Sequence, residues 1–372
     1  MEKHDLIVVG GETIGLYLGL QFLKKGYQVA ILEQKEQPGK KVCSGIVSSH
    51  LLDFFSPDEA RLFIEKKYTE ATLWINDQGY LFKGLAFLID REKLNQFLIR
   101  EIEKQGGKIL FGQKVCQVEE FPGEVVVTTQ NLTLHSYLVG GADGAFSRVR
   151  ESLDLPPPSF FQGCIAFSEK EGDEDKVDLF FTRKTPGFFS WRIPRKENVE
   201  WGLALPPHYK PQKVLADMLQ ERGIQFSGLR SAFIPRGPIK KFTSRRVFLV
   251  GDAAGMVKPH TAGGLMYGLR AAQIASQVIH LSTPNPAEYE KEWRALLGKD
   301  ILVEKILQKC YYLPSWAKKI GLRILSRIPI DQDHIAEIFF KKGKRRPRED
   351  IEAYLSFYTL EEKGRDEEID KD

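Results

Sequence analysis

The sequence predicts an α/β protein built on a parallel sheet, with an antiparallel sheet inserted into it and a helical region towards its C-terminal end. Three stretches carry that prediction. Residues 5–33 read as strand, glycine turn, helix and strand, a βαβ unit whose crossover is right-handed in nearly all proteins. From Pro156 to Pro235 the texture changes to short aromatic strands, the pattern of an antiparallel sheet. At 246–255, "RVFLVGDAAG" returns to a continuous apolar run and a tight turn, as a strand covered on both faces requires.

Taken in order, "DLIVVGG" is the first strand, a helix follows to about Lys25, and "YQVAILEQ" is the second strand. "ATLWINDQG" and "YLFKGLAFLID" read as strands. "REKLNQFLIREIEKQGG" is an amphipathic helix, with Leu94, Phe97, Leu98 and Ile102 on one face and Gly106-Gly107 as its stop. A β-meander covers the stretch to Gly144, with turns at Pro122-Gly123 and near Asn131. "FFQGCIAF", "KVDLFFT", "GFFSWRIP" and "VEWGLALP" are the strands of the inserted sheet. After the 246–255 strand, "GGLMYGLRAAQIASQVIHL" is a helix of small and apolar residues, and beyond Pro284 the chain is largely helical. The expected division is therefore 1–155 with 236–284 for the parallel-sheet domain and 156–235 for the antiparallel domain, with 72–90 an open addition to the latter. Residues 285–360 form the helical region and 361–372 an acidic tail.

The composition is that of an ordinary globular chain: 372 residues, 42% hydrophobic and 28% charged. Nothing at the start reads as a secretory signal, and no run reaches the roughly 18 apolar residues of a membrane span. The expected location is the cytoplasm. Cys43, Cys116, Cys164 and Cys310 have neither paired nor metal-type spacing, so reduced thiols and no metal site are expected. Cys116, Cys164 and Cys310 read as small core hydrophobes. The net charge of +4 hides a segregation: 299–348 hold thirteen basic against five acidic residues, and the tail holds seven acids against three bases. Trp316, Ile320, Ile324 and Ile328 stand four apart inside the basic block, among Lys318, Lys319, Arg323 and Arg327. Residues 311–328 are thus either a helix lying peripherally on the inner face of an anionic membrane or a helix packed on the body with a solvated charged face. "KKGKRR" has no nucleic-acid-binding fold around it, and no nucleic-acid partner is expected. The oligomeric state has no signature in the sequence.

The chemistry lies in the glycine turns. In "IVVGGETIG", Gly10 allows the tight turn, Gly11 follows it, Gly15 allows close helix–strand packing, and Glu33 ends the second strand where an acid hydrogen-bonds a ribose hydroxyl. The fingerprint's middle glycine is replaced by Glu12. A carboxylate about 4 Å from a phosphate charge costs up to about 4 kcal/mol at an effective dielectric near 20. As an anion it also favours the bare helix N-terminus. Exchange of Glu12 for glycine is therefore expected to tighten dinucleotide binding about tenfold or more.

"LVGGADGAFSRVRE" and "RVFLVGDAAGMVKPHTAGG" resemble the second and third flavin-binding signatures of the FAD-dependent superfamily of aromatic hydroxylases and geranylgeranyl reductases. Asp143, Gly144, Ser147 and Arg150 fit A-D-G-x-x-S-x-x-R, and Gly251-Asp252 fits the strand-end aspartate that contacts the ribityl chain in that family. Pro259 and Gly263-Gly264 form the following loop, whose amides would face the flavin ring, and Ala262 stands where the family often has glycine. Arg91 matches a family arginine beside the pyrophosphate.

"PGKKVCSG" resembles the P-x-x-K-x-C-x-G segment of the geranylgeranyl reductases, with Cys43 near the flavin, and "FFSWRIP" resembles their aromatic motif through Phe189, Trp191, Ile193 and Pro194. The resemblance implies a Rossmann-like FAD-binding domain, and a reductase that saturates carbon–carbon double bonds of an isoprenoid lipid. It implies cofactor contacts at Gly10, Gly11, Gly15, Glu33, Cys43, Arg91, Asp143, Gly144, Asp252, Pro259, Gly263 and Gly264. Cys43, Gly263 and Gly264 would serve catalysis, and Phe189, Trp191 and Pro194 would line the substrate tunnel. The electron donor is NAD(P)H or ferredoxin. Two other readings share these motifs: a flavin monooxygenase of the aromatic-hydroxylase type, and a flavin-poor lipid-binding relative in which Glu12 has undone the cofactor site.

Overall fold

A run of residues apolar at every position can be a strand only where both of its faces are covered, and the chain answers this at β1 (Lys3–Val9) and β2 (Val29–Leu32). The computed structural model describes residues 3–37, 42–170 and 176–325. β1 lies parallel to β2, and residues 6–9 and 29–32 are buried along the pair. α1 (Thr13–Leu23) crosses between them, and α3 (Arg91–Lys104) packs beside it with Leu94, Phe97, Leu98 and Ile102 buried, the face read from the sequence. Asp90 caps α3 by accepting from the Glu92 and Lys93 amides, satisfying two otherwise orphaned donors.

β7 (Val115–Phe121), β8 (Glu124–Thr129) and β9 (Thr133–Gly141) form the expected meander, whereas β6 (Lys108–Leu110) leaves it to pair parallel with β2, giving the order β6-β2-β1-β9-β8-β7. β15 (Val247–Leu249) joins this sheet parallel to β9, so the run after Arg246 re-enters the first layer as expected. Cys116 departs from its expected place in the core. A register shift between Val115 and Gln117 turns it outward, and it is exposed.

The second sheet has eight strands in the order β14-β10-β13-β12-β11-β4-β5-β3. These are β3 (Ile46–Ser48), β4 (Ile64–Ile75), β5 (Gln78–Ile89), β10 (Phe160–Glu169), β11 (Val177–Phe181), β12 (Ser190–Pro194), β13 (Asn198–Leu205) and β14 (Ser227–Pro235). It reaches further into the N-terminal part than 72–90, taking β3 and all of β4. It is also not wholly antiparallel: β11 runs parallel to β4 through Val177↔Ala71 to Phe181↔Ile75. Alternation identifies a strand and its faces but carries no information on which distant edge it joins. α5 (Pro211–Gln220), which the sequence reading passed over, buries Leu215, Met218 and Leu219 against Cys164, Leu203 and Leu205. Two short helices, α2 (Pro57–Arg61) and α4 (Arg148–Ser152), close loops.

α6 (Leu265–Val278), α7 (Pro286–Cys310) and α8 (Ser315–Leu325) follow. Tyr289 and Trp293 of α7 are buried, with Phe242 edge-on to both rings. Trp316, Ile320 and Ile324 of α8 are 68%, 56% and 59% exposed, so this apolar row faces outward instead of packing on the body. The segment Pro38–Lys41, the basic residues beyond 325 with Arg327 and Ile328, and the acidic tail lie outside the described residues.

Candidate functional site

The glycine turn, the second sheet and the C-terminal helices meet around one cavity of about 1000 Å³. That is the upper end of the range for small-molecule sites, about 300–1,000 Å³. Its wall includes Gly10, Glu12, Glu33 and Lys35 from the first domain and Tyr311, Lys318 and Leu322 from the C-terminal helical region.

The first turn is built by close approach. Gly10 has φ +106°, and a Cβ on it would stand 2.5 Å from the Ala142 carbonyl oxygen. A Cβ on Gly15 would stand 1.8 Å from the Gly10 carbonyl oxygen. Gly11 lies behind the wall and donates its N–H to Glu33 Oε2 at 2.7 Å, while Glu33 Oε1 accepts the Lys35 N–H at 3.0 Å. Glu33 is 5% exposed, so its carboxylate braces the turn from the end of β2.

Glu12 is the N-cap residue of α1, yet its side chain makes no capping bond. One carboxylate oxygen pairs with the Lys35 ammonium, and the other accepts from Asn95 Nδ2 at 3.0 Å. Asn95, 1% exposed on α3, accepts the Thr13 hydroxyl proton, and Thr13 Oγ1 accepts from Arg91 Nη2 at 2.7 Å and Nε at 3.2 Å. Arg91 Nη1 lies 3.9 Å from Cys43 Sγ. A single polar chain thus runs from Lys35 to Cys43 along the cavity. The sequence placed Arg91 and Cys43 in the site but missed Thr13, Asn95 and Lys35. Polar residues on a helix that otherwise shows an apolar stripe were the available signal for Asn95.

Asp143 lines the cavity, and its carboxylate is bonded to its own loop. It accepts from Ser147 Oγ at 2.6 Å and from the Arg148 and Val149 amides at 2.7 and 3.1 Å, which caps α4. Burial pushes its carboxyl up, against those bonds. Arg150, 4% exposed, donates to the carbonyls of Ala253 at 3.0 Å and Ala145 at 2.9 Å, tying the second motif to the third, and burial lowers its guanidinium. Gly144 remains on the cavity wall.

In the third motif Asp252, Gly263 and Gly264 line the cavity, and a Cβ on Gly264 would meet Val257 at 2.9 Å and Asp252 Oδ1 at 3.2 Å. Pro259 lies outside the wall, its carbonyl accepting from Gln308 Nε2 at 2.8 Å. Ala262 has φ +59°, which explains a family preference for glycine there. Beside it His260 Nδ1 is 2.9 Å from Glu304 Oε2, both side chains buried, an ion-pair-ready couple that no spacing revealed.

Phe189 and Trp191 lie on the wall with their rings 6.2 Å apart, and Phe189 stacks on Phe188 at 4.4 Å. Trp191 Nε1 donates to Glu200 Oε1 at 2.9 Å. Glu200 has no exposed surface, and its other oxygen pairs with Arg195, which also donates to the Ser44 carbonyl at 2.8 Å. Burial pushes the Glu200 carboxyl up while Arg195 pulls it back. Pro194 is buried but lies off the wall, its carbonyl held by the Tyr68 hydroxyl at 2.5 Å.

The residues present fit a dinucleotide. Gly10, Gly144, Gly263 and Gly264 leave stretches of wall without side chains, with open space where a Cβ on Gly144 would stand, Arg91 supplies positive charge at the wall, and the Ser48 hydroxyl is buried on the wall with no hydrogen-bond partner among the described residues. The one ill-fitting group, Glu12, is paired.

No family model matches the chain. It is 26% identical over 352 residues to digeranylgeranylglycerophospholipid reductase 1 of Methanococcoides burtonii, covering 84% of each chain. In fold it is similar to a geranylgeranyl bacteriochlorophyll reductase-like protein of Thermoplasma acidophilum, with a TM-score of 0.78, 18% identity, and coverage of 95% of this chain and 100% of that one. A flavoprotein/dehydrogenase of Cytophaga hutchinsonii gives a TM-score of 0.69 at 15% identity, covering 84% of this chain and 86% of that one. The motifs, the two-sheet fold and these likenesses point one way: the chain is a relative of the geranylgeranyl reductases.

Proposed function

We propose that the protein is an FAD-dependent reductase that saturates carbon–carbon double bonds in a geranylgeranyl or related isoprenoid chain carried on a lipid. The observation that carries this reading is the single cavity that joins the glycine turn to an apolar wall of Phe188, Phe189, Trp191, Ile193 and Leu179. A chain of that kind binds by losing water, at about 0.8 kcal/mol for each buried methylene.

When bound, FAD supplies the hydride in its reduced form. Gly10, the α1 amides and Arg91 would hold its pyrophosphate, and the Gly263-Gly264 amides would face its ring. Phe189 and Trp191 press the prenyl chain flat and exclude water, and the Glu200 carboxylate fixes the indole through Nε1. The proton that completes saturation is held at Cys43 Sγ, a thiol that also receives the Gly45 N–H at 3.4 Å. NAD(P)H or ferredoxin would supply the electrons. The test is anaerobic: the purified yellow protein, reduced with dithionite and given a geranylgeranylated lipid, should release a product heavier by two hydrogen atoms per double bond. Unchanged lipid under those conditions refutes the reading.

No helix among the described residues is long and apolar enough to cross a membrane. A lipid substrate must nevertheless be met at a surface. We propose that α8 supplies the contact, because Ala317, Lys318, Gly321 and Leu322 line the cavity while Trp316, Ile320 and Ile324 face outward. Vesicles containing phosphatidylglycerol should sediment the protein, and Trp316→Ala with Ile320→Ser should reduce the bound fraction about tenfold or more without loss of FAD. Equal sedimentation of the two proteins refutes the contact.

A further inference from the structure

We infer that Lys35 is the counter-ion that lets this chain hold a dinucleotide with a carboxylate at the middle position of its first fingerprint. The inference rests on the FAD reading and assigns a cofactor-affinity role to a residue outside the fingerprint.

Glu12 stands in extended backbone, φ −87° and ψ 173°, at the head of α1, where a ligand phosphate would meet the helix amides. A free carboxylate there would compete with a phosphate for those same amides. It does not reach them. Its two oxygens are claimed separately, one by the Lys35 ammonium and one by the Asn95 amide, and Asn95 is fixed in turn through Thr13 and Arg91. Lys35 reaches Glu12 from the loop that follows β2, and its own backbone N–H is held by Glu33, so its stem starts from a fixed point. The charged residues of the wall around the turn are Glu12, Glu33 and Asp143 against Lys35, Arg91, Lys114 and Arg148, and Lys35 is the cation that pairs with the Glu12 carboxylate. Removal of Lys35 leaves the Glu12 carboxylate without its ammonium partner beside an incoming pyrophosphate.

The neutralisation is partial in strength, because the Lys35 side chain is 43% exposed and solvent screens its field. The expected effect is therefore about a decade in affinity, short of the nearly three decades of an unscreened repulsion. It also revises the expectation for Glu12 itself. With the carboxylate already paired, its removal gains less than the tenfold read from the sequence.

The experiment is a double-mutant cycle on FAD affinity, read by quenching of flavin fluorescence on binding and not by turnover. Lys35→Met should weaken FAD about tenfold in the wild-type background and less than about twofold when Glu12→Gln is also present. Glu12→Gln alone should change affinity less than about threefold. If Lys35→Met weakens FAD equally in both backgrounds, the lysine acts on the nucleotide directly and the inference falls. No weakening in either background also overturns it. A folded wild-type chain that takes up no FAD at all overturns the cofactor reading and this inference together.

Discussion

Replacing Gly15 by alanine is expected to cost the protein about 3 kcal/mol of stability and at least a hundredfold in FAD affinity. The added Cβ would sit 1.8 Å from the Gly10 carbonyl oxygen, 3.0 Å from the Gly10 carbonyl carbon and 3.2 Å from Ala142 Cβ. None of these is the far end of a flexible side chain. Two are backbone of the turn itself, and the third belongs to the segment that continues β9. Relief therefore requires the turn and the head of α1 to separate by more than an ångström, which misplaces every amide aimed at the pyrophosphate. A helix propensity gain of about 1 kcal/mol for glycine to alanine works in the opposite direction and is too small to win.

Gly298→Ala provides the comparison. Gly298 lies within α7, and a Cβ there meets nothing within 4 Å. Only propensity acts, so this variant should gain about 0.5–1 kcal/mol and keep its flavin. Urea denaturation and fluorescence titration of both proteins decide the matter. Gly15→Ala unfolding with wild-type stability would show that the turn yields to a methyl group at little cost.

The same contrast shows what was legible in the sequence. Gly10, Gly15 and Gly264 could be read because close approach or backbone geometry dictates residue type there, and such dictates recur in short motifs. The strands could be read because burial on one or both faces imposes its period on neighbouring residues. Long-range pairing has no such local record. That β11 would join β4 in parallel, that Pro194 would turn its carbonyl to Tyr68 instead of facing the tunnel, and that Cys116 would be turned out at a bulge all depend on partners far away in the chain. Asp143 matched a motif and lines the cavity, yet a motif names the residue and not which amides its carboxylate will accept. Glu12 is the sharpest case. Its sequence context marked a damaged fingerprint, whereas its ionic partner stands 23 positions away and its amide partner 83.

Arg195→Met should destabilise the protein by about 3 kcal/mol at neutral pH, with a loss that shrinks as the solution is acidified. Glu200 has no exposed surface, and Arg195 is its counter-charge. Burial already raises the Glu200 carboxyl above its ordinary range, with Arg195 the principal opposing influence. An acid whose folded pKa is raised contributes its full stability below the unfolded value, near 4.3, and loses it as pH rises through the folded value. Removing Arg195 raises the folded value further, so the difference between variant and wild type should be small near pH 4 and complete by neutrality. An ordinary ion-paired carboxylate gives the same sign for this difference, so the raised carboxyl shows instead in the wild type, where the Glu200 contribution to stability falls as pH rises above about 4.3. Adding Glu200→Gln to Arg195→Met should recover most of the loss, since an amide at 200 needs no counter-charge and its oxygen still accepts the Trp191 indole proton. The consequence for the site follows from the other arm of Arg195. With its bond to the Ser44 carbonyl gone, the Cys43 segment loses an anchor to the aromatic wall, and prenyl-lipid affinity should fall in the single variant even where the fold survives. A stability difference independent of pH would mean that Glu200 stays protonated in the wild type and that Trp191 is held by a neutral acid.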